Sequence, residues 1–230
     1  MNHRLYGPLF RAVRWLARRV FPKFEIKIPA AMQGPVVYVS HHQNMFGPVR
    51  IMLWFPIEVR TWIYQVFFNR KACYDQYMGY TFTKRFGLPK PIAMLAAFPV
   101  SRLVPAFFHS MRGIPVYRGS KQIIDTFRTS VEALKQGHSI LIFPDIHYSD
   151  ASADTKELYE GFLHLEKYYY NMNRGHIPFV PLYASKNGRV ITAGEPVMFQ
   201  DGEDFVTGRD RVMRQLQAGL NELARQSGDL

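Results

Sequence analysis

The sequence predicts an α/β fold: a single domain with a mixed, largely parallel central sheet flanked by helices, preceded by a basic amphipathic N-terminal helix. Three observations predict it. Short apolar runs of strand length recur at 36–40, 114–117, 139–143, 179–184 and 189–193. Stretches with helical spacing of apolar residues separate them. No internal repeat or low-complexity tract interrupts the alternation, and alternating strands and helices build a sheet covered by helices.

The elements follow in order. Residues 8–21 read as a helix, with Pro8 at a tolerated first-turn position. Leu9, Val13, Leu16 and Val20 share one face, and Arg11, Arg14 and Arg18 the opposite one. This pattern suits an interfacial membrane anchor, and equally a helix packed on its own domain with a solvated arginine face. The β-branched run 36–40 predicts a buried strand. Residues 60–111 are aromatic-rich and punctuated by Gly79, Gly87, Pro89, Pro91, Pro99 and Pro105, which predicts short helices with a partly exposed apolar surface. A strand over 114–117 precedes a helix that Ser120 caps, that carries Ile124, Phe127, Val131 and Leu134 on one face, and that Gly137 stops. The run 139–143 is a second buried strand, and 156–171 a tyrosine-rich helix. Strands at 179–184 and 189–193 flank an Asn187-Gly188 turn, and a helix over 209–226 closes the chain. Residues 1–30 form a membrane-contacting segment on this reading, and 31–230 the α/β domain.

Composition bounds the partners. The 230 residues carry a net charge of +11 with a pI of about 9.8, and 15% are aromatic. Such a balance favours an anionic partner: nucleic acid, an anionic membrane surface or a phosphorylated small molecule. The single cysteine, Cys73, builds no disulfide framework or thiolate metal cluster within one chain, as expected in a reducing compartment. No signal-peptide pattern is visible. No segment reads as a plain membrane span of roughly 20 apolar residues. The nearest, 92–108, is interrupted by Pro99, Arg102 and Pro105. The expected location is the cytoplasmic face of the cell membrane, peripherally bound.

Four stretches carry the chemistry: SHHQNMFGP (40–48), GIPVYRGS (113–120), FPDIHYSD (143–150) and IPFVPLY (177–183). In order and spacing they resemble the glycerolipid acyltransferase family, typified by the lysophosphatidate (1-acyl-glycerol-3-phosphate) acyltransferases, over roughly residues 34–225. The linking stretches VEALKQGHSILIFP and ITAGEPVMF resemble it as well. A histidine in a loop at a strand's end is suited to proton abstraction from a hydroxyl near neutral pH. The resemblance implies that His42 is this general base, with His41 in a local structural role. It implies that Gly113 and Arg118 belong to the acceptor-binding segment. It further places Asp145 in the catalytic set and His147, Tyr148, Ser149 and Asp150 at the bound acceptor. IPFVPLY is architectural, a buried strand near the acyl pocket, with Pro178 and Pro181 setting its edge geometry.

The sequence departs from the family pattern twice. The family carries an aspartate five residues after its histidine; here that residue is Gly47. Loss of the carboxylate that orients a catalytic imidazole costs about 10⁴-fold in rate in a serine protease. Asp145 or Asp150 could take that place, Asn44 or a backbone carbonyl could orient His42 instead, or catalysis could be absent. In the third stretch the family's Glu-Gly-Thr-Arg becomes Asp145-Ile146-His147-Tyr148, which removes a bidentate phosphate clamp.

The expected activity is transfer of a fatty acyl group from acyl carrier protein or coenzyme A to a lysophospholipid or other lipid-like hydroxyl, with no cofactor and no metal. The competing expectation is a catalytically impaired lipid-binding or scaffold protein on the same fold. Nucleic acid is not an expected partner, since no recognition signature accompanies the charge.

Overall fold

Residues 4–28 and 34–230 are described by a computed structural model, which shows the predicted α/β architecture. The strands are β1 (Glu25–Lys27), β2 (Val37–Ser40), β3 (Val59–Tyr64), β4 (Ile114–Val116), β5 (Ser139–Ile142), β6 (Phe179–Ala184) and β7 (Val190–Ala193). The α-helices are α1 (Pro8–Val20), α2 (Phe46–Trp54), α3 (Arg70–Gln76), α4 (Lys90–Ser110), α5 (Ile123–Lys135), α6 (Leu165–Asn173) and α7 (Phe205–Gln226). Two compact units divide the chain: the N-terminal residues through Trp15 with Arg60–Thr126, and Leu16–Val59 with Phe127–Leu230. The expected boundary between residues 30 and 31 lies outside the described residues.

In the larger unit the strands run in the order β1-β7-β6-β2-β5. β2 pairs in parallel with both β5 and β6, β7 pairs in parallel with β1, and only β6 and β7 are antiparallel. Every residue of β2, β5 and β6 is buried, as continuous apolar runs covered on both faces require. Successive side chains alternate between faces. Tyr38, Val180, Leu182 and Ala184 share a core with Ile51 and Phe55 of the α2 segment. Pro181 points the other way, against α7: a Cβ on Gly219 would sit 3.0 Å from its ring. Asp204 caps α7 by accepting from Val206 N and Thr207 N. β6 is the buried strand expected of this stretch, lying between β7 and β2, so Pro181 sits inside the sheet. It is tolerated because it stands opposite Gly194, just past the end of β7. Its carbonyl accepts from Gly194 N at 2.9 Å, and the donor it lacks falls where that ladder has already ended.

In the smaller unit β3 pairs in parallel with β4. A 3-10 turn (Gln65–Phe68), α3, a π-helical stretch (Tyr77–Arg85) and α4 follow β3. Asn69 caps α3 by accepting from Ala72 N at 3.1 Å. The expected short helices over 60–111 are corrected at α4, which runs unbroken through Pro99 and Pro105 for 21 residues. Pro99 and Pro105 bring no N–H to Leu95 O and Ser101 O, while nearby the Ser101 hydroxyl donates to Phe98 O at 2.9 Å and Arg102 to the same carbonyl at 3.3 Å. By length and composition α4 could cross a membrane, and only 22% of its apolar window is buried. The chain before α1 docks on its end, where Gly7 N donates to Ser110 O and Phe10 N to Ser110 Oγ.

Helix α1 is amphipathic with its polarity reversed. Leu16 and Val20 are 60% and 75% exposed, and Leu9 and Val13 also face outward. Two of the arginines reach the protein instead, while Arg11 is exposed. Arg14 lies over the Tyr6 ring, while Arg18 donates to Leu53 O at 2.6 Å and covers the Trp54 ring. The alternative of a helix packed by that apolar face is therefore not what forms.

Candidate functional site

The larger unit brings the first and third sequence motifs together at the carboxyl ends of two adjacent parallel strands, where open α/β sheets place their ligand sites. Ser40 ends β2 and is followed by His41 and His42; Ile142 ends β5 and is followed by Phe143, Pro144 and Asp145. A short antiparallel bridge between Asp145 and Leu158 holds the third motif in place, with Ile146 N on Glu157 O and Tyr159 N on Pro144 O.

Asp145 is buried and serves the first motif with both oxygens. Oδ1 meets His41 Nδ1 in a short contact, and Oδ2 accepts from His42 N at 2.9 Å. His41 is buried and turns its other nitrogen, Nε2, to Ser152 O at 3.0 Å. With Asp145 ionised, the ring meets both acceptors only when each nitrogen carries a proton. His41 is thus a clamp between the β5 loop and the strap that follows it. The carboxylate expected in the catalytic set holds the backbone of His42 and the ring of its neighbour.

His42 is partly exposed and stands edge-on to Phe143 and Tyr148, with ring centroids 5.7 and 6.0 Å away. Met45 N donates to its Nδ1 at 3.1 Å. An N–H cannot accept, so the neutral ring held this way keeps its proton on Nε2. In a His–Asp pair the carboxylate takes the Nδ1 proton and leaves Nε2 free to act as base. Here the polarity of the contact is opposite. Its cause is the loop: Gln43, Asn44 and Met45 all have positive φ, at 45°, 48° and 74°. Non-glycine residues in that region cost of order 1–3 kcal/mol each, and such strain concentrates at functional sites. This left-handed turn bends the Met45 amide back onto the imidazole.

Gly47 is not a vacancy left by an acid. A Cβ there would lie 2.1 Å from His41 O and 3.4 Å from His42 O, so the backbone occupies the space a side chain needs. Gly47 N donates to His42 O at 3.2 Å, closing the first turn of α2 onto the histidine loop. Asp150 is committed elsewhere as well. It accepts from Lys156 Nζ at 2.6 Å and Ser152 N at 2.9 Å, and these bonds hold its carboxyl well below the usual range.

His147, Tyr148 and Ser149 are exposed on the loop beside Asp150. Gly113 and Arg118 belong to the smaller unit. Gly113 is a packing glycine, since a Cβ would meet Ile63 Cδ1 at 2.7 Å and Phe68 Cζ at 3.1 Å. Arg118 is exposed two residues past β4. Sequence reasoning missed the Ser152 carbonyl and Lys156, because main-chain acceptors and a lysine in a turn carry no motif. Among the described residues no three His, Cys, Asp or Glu side chains group as metal ligands. A hollow of about 560 Å³ in the larger unit, lined by Ile146, Tyr159, Gly161, His164, Arg209 and Met213 among others, takes in none of His41, His42 or Asp145.

Compared with solved structures, the chain is similar to the 1-acyl-sn-glycerophosphate (LPA) acyltransferase PlsC from Thermotoga maritima. The TM-score is 0.53 at 13% identity, covering 93% of this chain and 79% of that one. No family model matches the chain, and no curated protein matches it by sequence. The glycerolipid acyltransferase-like fold expected from the four motifs is the fold observed.

Proposed function

We propose that the chain is a membrane-peripheral O-acyltransferase of lipid metabolism. It moves a fatty acyl group from acyl carrier protein or coenzyme A to the hydroxyl of a lysophospholipid or similar lipid-like acceptor. One observation carries the reading: on a fold shared with PlsC, His42 emerges at the carboxyl end of β2, its backbone fixed by Asp145 from the neighbouring β5. As the acceptor oxygen attacks the thioester carbonyl, its proton passes to His42. The tetrahedral intermediate then expels the thiolate, which takes that proton back. No metal or covalent enzyme intermediate is required by this chemistry.

His42 must first release Met45 N, because its Nδ1 lone pair is occupied and its Nε2 carries the proton. The left-handed loop supports such a step, since unwinding three positive-φ residues relieves strain. An anionic membrane surface on the cytoplasmic face is the natural place to meet the acceptor. The outward apolar face of α1 supports it, as do Leu95 and Phe98 on α4, 78% and 57% exposed.

A second reading is a lipid-binding protein without turnover. The donor contact from Met45 to His42 and the filled space at Gly47 favour it. Turnover separates the two. Purified protein receives acyl carrier protein and coenzyme A thioesters with a pooled lipid extract, and products are read by mass spectrometry beside His42→Ala. An acylated lipid that vanishes with His42→Ala supports acyl transfer; lipid bound but unchanged supports the second reading.

A further inference from the structure

Arg50 is the one arginine of α2, in the second turn past the site loop. Its guanidinium lies 4.6 Å from the ring centre of Phe21, 5.5 Å from Phe24 and 5.3 Å from Phe46. Within this aromatic box Nε and Nη1 are buried and meet no acceptor. Nε carries one donor and Nη1 two, and a guanidinium can accept nothing. Ring faces attract the cation but do not replace oxygen acceptors along its edge. A buried charged group with donors left over is costly, and native folds keep such groups paired. Desolvation already pulls its ionisation below that of a free guanidinium.

We propose that Arg50 binds the phosphate oxyanion of a lipid headgroup. Three points on the same unit lead there. Nη1 with Nη2 forms one side of the planar fork that matches phosphate bidentately, and Nε with Nη2 the other. Nη2, unlike the other two nitrogens, keeps solvent contact, so an anion enters at that end. Phe21, which faces the guanidinium, is 39% exposed and follows Val20, 75% exposed, at the end of α1, an apolar surface that suits an acyl chain next to the anion. As a deepening of the acyltransferase reading, on which its substrate role rests, Arg50 supplies the clamp absent where Tyr148 stands in the third motif.

The test reads binding, not turnover. The intact chain is sedimented with phosphatidylcholine vesicles, with and without phosphatidate, as wild type, Arg50→Met, Arg50→Lys and Lys135→Gln. Lys135→Gln removes one exposed charge from the same unit. Wild type prefers phosphatidate vesicles. Arg50→Met loses that preference about tenfold, as removal of a charge-assisted bond predicts, and Arg50→Lys loses part of it. Lys135→Gln loses little. Free sn-glycerol 3-phosphate displaces little of the vesicle-bound protein. Equal losses in Arg50→Met and Lys135→Gln, or none in Arg50→Met, overturn the proposal. Full displacement by glycerol phosphate overturns the lipid source. If Arg50→Met fails to melt cooperatively, Arg50→Lys carries the comparison. A silent acyl-transfer assay with this selectivity intact would remove the enzyme reading and leave the headgroup site.

Discussion

Gly47→Ala tests the closeness of α2 to the histidine loop, and the sign of its effect is diagnostic. Gly47 lies in the first turn of a helix with ordinary negative φ. In open surroundings alanine there would stabilise by about 0.5–1 kcal/mol through lost unfolded-state entropy. The surroundings are not open, since the added carbon would sit 2.1 Å from His41 O, more than about 1 Å inside ordinary contact. The obstacle is backbone, and that backbone is held by Asp145 through the adjoining His42 amide. Overpacking of this kind costs typically 1–3 kcal/mol, and a clash with fixed main chain belongs at the upper end. Setting about 3 kcal/mol against about 1 leaves a net loss of about 2 kcal/mol. For a chain of this size that is roughly 4–8 °C in melting temperature. Urea unfolding at unchanged m-value gives the free energy directly. A neutral or stabilised Gly47→Ala would refute the packing, and Gly47→Asp raising turnover would show that the site has room for the acid after all.

Three further outcomes are expected. His41→Ala strands the buried Asp145 carboxylate and costs about 3–5 kcal/mol, while the double variant with Asp145→Ala costs less than the sum of the singles; additive losses in denaturant titrations would deny the pairing. Asp229 accepts from Lys186 N and Asn187 N at 2.8 Å and from Ser185 Oγ and Tyr183 Oη at 3.0 Å, so Asp229→Ala should cost about 2 kcal/mol and open the β6–β7 turn to hydrogen exchange. His176 is pulled down by burial but raised on balance by bonds to Glu166 at 2.6 Å and Asp201 at 3.2 Å; burial raises Glu166 too. Both folded values lie above their ordinary ones. The contribution of His176 is therefore complete below pH 6.5 and is lost as pH rises through its folded value, while that of Glu166 is complete below pH 4.5 and is lost as pH rises through its own folded value. Melting temperature should fall over the His176 window, and His176→Gln should flatten the slope; parallel profiles would exclude it.

The sheet was legible where strands are buried on both faces. VYVS, SILI and FVPLYA are continuous apolar runs, and they became β2, β5 and β6. β3, VRTWIY, was missed because arginine and threonine interrupt a half-buried strand, and β1 is only three residues long. The prolines hid α4, since Pro99 and Pro105 read as helix ends in a sequence although the helix runs through both. Site location was legible from the order of motifs. The target of Asp145 was not, because it depends on the β2–β5 register, which no local pattern encodes. The crowding at Gly47 and the direction of the Met45 bond likewise come from tertiary packing and three unusual dihedrals.

The reversed helix α1 bears on how such a protein is sorted at the bench. Extraction of membranes with concentrated salt or alkaline carbonate assumes that a surface protein clings by its charges. Here Arg14 and Arg18 already have protein partners, and aliphatic side chains face outward. Adhesion through that face would survive ionic washing and yield to mild detergent, so fractionation alone would file the chain with integral proteins.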